Sequence, residues 1–115
     1  EDRLKLKEDD EEFKASTPAS LLTLRRTARQ GGATPVAEFA LWRLAQEYRD
    51  RRLYEQSAAT YTELATRFPG TRYDAWFSAA ELYEKQLRDP DRARTAYRNV
   101  PSNSSKYDQA QKKIQ

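Results

Sequence analysis

The sequence predicts an all-α protein, with antiparallel helix pairs stacked as a short solenoid of about six helices. Three observations carry this. The stretch ATPVAEFALWRLAQEY, beginning at Ala33, is echoed by FPGTRYDAWFSAAELY, beginning at Phe68, and Pro35 and Pro69 stand 34 residues apart. A period of that size is the mark of a repeated helical hairpin. Helix starts also recur as a capping residue followed by proline, at Thr17-Pro18, Thr34-Pro35 and Asp89-Pro90. Finally, apolar residues return every three or four positions, and no stretch alternates as a strand would.

Each element follows from local signals. The first seventeen residues contain the acidic run KEDDEEFK without sustained apolar rhythm. They read as a linker, or as an arm that docks through Leu4, Leu6 and Phe13. A helix is expected from Pro18 to about Gln30, with Leu21, Leu22, Leu24, Arg25 and Ala28 on its periodic face and a stop at Gly31-Gly32. Thr34-Pro35 opens the second, carrying Phe39, Leu41, Trp42, Leu44, Ala45 and Tyr48. The polar RDRR after Tyr48 makes a turn. A third helix from Leu53 carries Ala58, Tyr61, Leu64 and Phe68, and Pro69-Gly70 ends it. Thr71 with Asp74 resembles a capping box, so the fourth helix is expected from there to about Leu87, bearing Trp76, Phe77, Ala79, Ala80, Leu82 and Tyr83. Asp89-Pro90 starts a fifth with Ala93, Ala96, Tyr97 and Val100. Pro101 through Ser105 is a break, and SKYDQAQKKI begins a short last helix.

Composition narrows the chemistry. At 115 residues this is one domain at most, and a start at Glu1 rather than Met points to a piece of a larger protein. Cys, His and Met are absent. Disulfides, thiolate or imidazole metal ligands, and Ser–His or Cys–His catalytic pairs are therefore excluded. No run approaches the 18 or so apolar residues of a membrane span. Glu47, Glu81 and Glu84 lie on helices as solvated acids rather than a catalytic pair, and Gly31-Gly32 lacks the lysine and further glycines of a phosphate loop. Neither a catalytic constellation nor a cofactor or metal site is expected. Residues 1–20 carry net charge −3 and residues 21–115 carry +6.

The offsets within the echo point to a family. Trp76-x2-Ala79-Ala80-x2-Tyr83 and Leu41-x2-Leu44-Ala45-x2-Tyr48 share one pattern. Ser57-x3-Tyr61 followed by Pro69 completes the first copy, and Ala93-x3-Tyr97 completes the second one residue late. These motifs resemble the tetratricopeptide repeat (TPR), whose W-x2-L-G-x2-Y and A-x3-F signatures have a physical reason. Small residues at Ala45 and Ala80 let paired helices approach, large ones fill the layers between, and stacked pairs share a core that no single pair could bury. The resemblance covers residues 18–115, divided as a half repeat (18–33), repeats at 34–70 and 71–104, and a terminal helix (105–115). Two departures stand out: Pro101 comes early, and the acidic segment does not fit the missing first helix of the half repeat.

The resemblance implies a protein–protein interaction scaffold holding a peptide or partner subunit in a concave groove, within a larger assembly. In the family the groove is lined by the first helix of each repeat. Carried onto this chain, its positions are Phe39, Trp42, Gln46 and Arg49, then Asp74, Phe77, Glu81 and Glu84. The Lys and Asn set of the carboxylate-clamping subfamily is missing there. Trp76 is expected in the core, whereas Trp42 and Phe77, one position past the layer residues, turn about 100° away from the helix-pair core. They anchor a partner or pack on the neighbouring repeat's first helix. The ending SSKYDQAQKKI is similar to terminal helices of TPR proteins of the bacterial cell envelope, which implies that compartment. The alternative reading is nucleic-acid binding through LRRTAR, RDRR and RDPDRARTAYR, runs that Asp50, Asp89 and Asp91 interrupt.

Overall fold

The computed structural model describes residues 19–115, so Thr17-Pro18, Leu4, Leu6, Phe13 and the acidic arm lie outside the described residues. Six α-helices follow one another: α1 (Ala19–Gln30), α2 (Pro35–Asp50), α3 (Tyr54–Arg67), α4 (Ala75–Glu81), α5 (Pro90–Arg98) and α6 (Tyr107–Lys113). Each packs chiefly on its sequence neighbours, the arrangement of a helical solenoid, and no strand occurs among the described residues. The fold is all-α and TPR-like.

Two helix starts form as their sequences require. Thr34 Oγ1 accepts from the Ala37 amide at 3.2 Å, with Pro35 at the first position of α2. Asp89 Oδ1 likewise accepts from the Arg92 amide at 3.1 Å, with Pro90 opening α5. Each satisfies one of the amides that a helix start leaves without a partner. The stop after α1 also holds. Gly32 has φ of 61°, a left-handed conformation that glycine adopts freely, and Gly31 lies so close to Ala37 that a Cβ there would collide with it.

The fourth helix departs from expectation at both ends. It starts at Ala75, because Thr71 Oγ1 takes the Tyr73 amide and Asp74 makes no side-chain cap. At its far end the helix widens into a π-turn over Leu82–Gln86, in which the Leu87 amide reaches the Leu82 carbonyl at 2.9 Å. Here lies the residue that makes the second repeat one late. The two hairpin turns close alike: the Leu53 amide donates to the Tyr48 carbonyl and the Asp89 amide to the Tyr83 carbonyl. Arg52 and Arg88, just before those amides, are both left-handed, at φ of 63° and 53°.

A continuous buried cluster runs from Leu21 to Ala110 and includes Leu41, Leu44, Tyr48, Tyr61, Leu64, Tyr83 and Tyr97. Ala45 and Ala80 are fully buried, as close helix approach demands. At the α2–α3 crossing Ser57 Oγ donates to the Ala45 carbonyl at 2.7 Å, so the small residue there also ties the pair together. Trp76 is a correction. It is partly buried at the edge of the cluster, because α4 begins only one residue before it, whereas α2 begins six residues before the fully buried Leu41.

Candidate interaction surface

The eight residues assigned to the groove fall into four settings. Phe39 and Trp42 lie one helical turn apart near the start of α2, their ring centroids 5.8 Å apart. Trp42 stacks on Tyr73 at 4.7 Å, with the ring planes within 13°. Tyr73 belongs to the segment entering α4, so the next repeat covers one face of Trp42. Phe39 keeps 48% of its surface exposed. Among the described residues it and Val36 are the exposed large hydrophobics, and both sit on the first turns of α2.

Farther along α2, Gln46 accepts from Arg43 at 3.2 Å, while Arg43 also holds Glu47 at 2.7 Å. Arg49 and Glu81 come together around a cavity of about 180 Å³, shared with Tyr61, Ser78 and Lys85. Burial pushes the Tyr61 phenol above its ordinary range, despite the opposing pull of Arg49. Lys85 pairs with Glu81 at 3.4 Å across one turn of the helix.

The remaining three residues are engaged by the C-terminal segment. Asp74 accepts from Ser104 Oγ at 2.7 Å. Phe77, left open between a partner anchor and packing on the neighbouring repeat, is buried: Tyr97 meets it edge-on at 5.6 Å, and Lys106 Nζ lies 5.3 Å from its ring centre. Glu84 accepts from the Tyr97 hydroxyl at 2.6 Å and from Lys113 at 3.2 Å. Residues 104–113 thus run alongside α4, contacting its start, middle and end in order. A rotation of about 100° therefore does not take Phe77 out of the core: Tyr97 of its own helix pair meets it, and the following segment supplies a third wall. The Tyr97 and Lys113 hydrogen bonds hold the Glu84 carboxyl below its usual range, and burial, then Glu84, raises the Tyr97 phenol.

Arg67, which the sequence reading passed over, and Arg92, which it took only as part of the RDPDRARTAYR run, organise the outer helices. Arg92 grips Glu55 of α3 with both terminal nitrogens, at 3.3 and 2.8 Å, and Asp89 with Nε at 2.6 Å. Its guanidinium also lies over the Tyr83 ring at 4.5 Å. Glu55 first and Asp89 second raise the Arg92 pKa further, and Arg92 in turn lowers that of Asp89. Arg67, at the end of α3, donates to the Ala28 carbonyl at 2.9 Å and the Gly32 carbonyl at 2.7 Å, so it tethers the exposed end of α1. The clue was available: Arg92 follows its capping aspartate at i+3. Its partner Glu55 is 37 residues away and carries no local sign.

The tetratricopeptide repeat family model matches residues 74–107. The helix pair α4–α5 reads as a tetratricopeptide repeat. No curated protein and no solved structure matches the chain. The matched TPR stretch includes Asp74, Phe77, Glu81 and Glu84 and reaches the first residue of α6. Among the described residues no cluster of three or more acidic side chains is placed to hold a metal, and no helix is long and apolar enough to cross a membrane.

Proposed function

We propose that this TPR-like array is a protein–protein interaction scaffold that holds a peptide segment or partner subunit along the α2–α4 face, within a larger assembly. The observation that carries the reading is the exposed aromatic surface at the start of α2. Phe39 stands half in solvent beside the Trp42–Tyr73 stack, whereas the equivalent surface of α4 is covered by residues 104–113. Exposed aromatic residues on a rigid scaffold are favoured binding anchors. Arg49 and Glu81, at the other end of the same face, supply charges of both signs to orient a ligand.

Ion pairing favours a protein partner over nucleic acid. Arg43, Arg67, Arg92 and Arg94 each pair with a carboxylate of their own array. A phosphate backbone would have to compete with those carboxylates at each site. The test is affinity capture from the native cell with the wild-type chain and with Phe39→Ala and Arg49→Glu baits. A partner held by wild type and lost from either variant, with helicity unchanged, supports the scaffold reading. Partners retained equally by all three baits would refute this face as the binding surface.

A further inference from the structure

The inference here rests on the interaction-scaffold reading and concerns what kind of partner segment the α2 rim takes. A depression of about 370 Å³ opens between the start of α2 and the loop entering α4, lined by Pro35, Glu38, Phe39, Gly70, Arg72 and Tyr73. Its aromatic lining is Phe39 and Tyr73, and Trp42, outside the lining, backs both: it lies 5.8 Å from Phe39 and stacks on Tyr73. Its edge is cationic. Arg72 is exposed, donates to the Tyr73 hydroxyl at 3.2 Å and lies 5.2 Å from that ring centre.

Arg72 belongs, with Arg26, Arg52, Arg88 and Arg98, to the arginines whose charge no carboxylate of the described residues pairs, and of these it is the one that lines the depression. Among the described residues it makes no ion pair, while Arg43, Arg49, Arg51, Arg67, Arg92 and Arg94 all do. Tyr73 holds its guanidinium above an apolar surface, where a carboxylate can be gripped by two parallel hydrogen bonds. Residues 21–115 carry net charge +6, so the field of the array also draws in acidic chains. Glu38 is the one acid in the lining. It forms no ion pair with Arg72, though its charge acts on that guanidinium, and its carboxylate can accept a main-chain N–H from an extended ligand.

We propose that this rim binds a short acidic peptide segment of a partner protein, with an aromatic or branched apolar side chain laid between Phe39 and Tyr73 and an adjacent carboxylate paired with Arg72. Two requirements follow for the ligand: an apolar anchor, and an Asp or Glu beside it. Neither alone suffices. An apolar peptide leaves Arg72 unmatched, and a purely acidic one leaves Phe39 in water.

The experiment is selection of a random-peptide display library on the full chain. The two best-enriched peptides are then titrated against wild type, Phe39→Ala, Arg72→Gln and Arg49→Glu, with Arg98→Gln as the control. Phe39 and Arg72 are exposed, so their variants should keep the wild-type melting curve. The expected result is enrichment of an aromatic or branched residue next to Asp or Glu. Affinity should fall about tenfold for Phe39→Ala and for Arg72→Gln. It should stay unchanged for Arg98→Gln, an exposed arginine of α5 outside the α2–α4 face, and weaken with salt in wild type more than in Arg72→Gln. Enriched peptides that are neutral or basic, or that respond to Arg49→Glu alone, would overturn this inference while leaving the scaffold reading intact. Self-association abolished by Phe39→Ala would assign the rim to a second copy of the chain and also overturn it. Failure to enrich any peptide would count against both.

Discussion

Phe77→Ala removes a ring that Tyr97, Lys106 and the body of α4 enclose, and truncation of a buried aromatic side chain costs about 3–5 kcal/mol. Trp76→Ala removes a larger ring that is only partly buried, so its expected loss is smaller, about 1–2 kcal/mol. Urea denaturation of both variants decides the order, and a greater loss at Trp76 would contradict the packing described for α4. Arg92 offers a second test. Its fork on Glu55, its bond to Asp89 and its seat on Tyr83 are partly solvated, so Arg92→Ala should cost about 1–2 kcal/mol. Arg92→Lys should recover less than half of that, because an ammonium cannot match the two oxygens of Glu55 in parallel. Full rescue by lysine would show that charge alone matters there.

The π-turn makes an element-scale prediction. Lys85 is exposed and pairs with Glu81 of its own helix, so deleting it removes the extra residue without touching the core. The Leu82–Gln86 stretch can then close as ordinary α-helix, and thermal denaturation should show a change within about 1 kcal/mol. Deleting Gln46 from the regular helix α2 must instead rotate Tyr48 out of the core and should unfold the array. At the two hairpin turns, Arg88→Gly should be neutral to mildly stabilising, by up to about 1 kcal/mol, since a left-handed non-glycine residue carries a penalty of that size. This scale also shows what the sequence could and could not disclose. Helices α1, α2, α3 and α5 were legible because proline, glycine and capping residues act within one turn. The start of α4 was misplaced because Asp74 binds Ser104, which is 30 residues away, instead of capping its own helix. For a similar reason the sequence left Phe77 open between two readings: Lys106, which covers it together with Tyr97, lies beyond the helix pair. At the candidate site, repeat register pointed to Phe39 and Trp42, while Arg72 and Tyr73, in an irregular loop, had no register to point to them.

At the scale of the whole molecule, pH should act on the seam between α4 and residues 104–113. Glu84 has a lowered pKa in the fold, so its contribution is present above the ordinary glutamate value of about 4.3 and is lost as pH falls through the folded value. Tyr97 has a raised pKa, so its contribution is complete below about 10 and is lost as pH rises beyond that. Denaturation midpoints should therefore form a plateau with two shoulders, and Glu84→Gln should flatten the acid one. An unchanged acid shoulder in that variant would remove Glu84 from the account. The arginine braces have a mechanical consequence. Arg67 straps α3 to the end of α1, and Arg92 straps α5 to the start of α3, so the second-helix layer is cross-tied at alternate ends. Among the described residues no ion pair joins α2 to α4, which meet the rest of the face through the flat Trp42–Tyr73 stack. Rings in parallel contact slide more easily than forked ion pairs stretch. The array is therefore expected to act as a leaf spring, stiff along its strapped back and compliant across its open front, and a ligand of the kind proposed would set the curvature of the front without breaking the back.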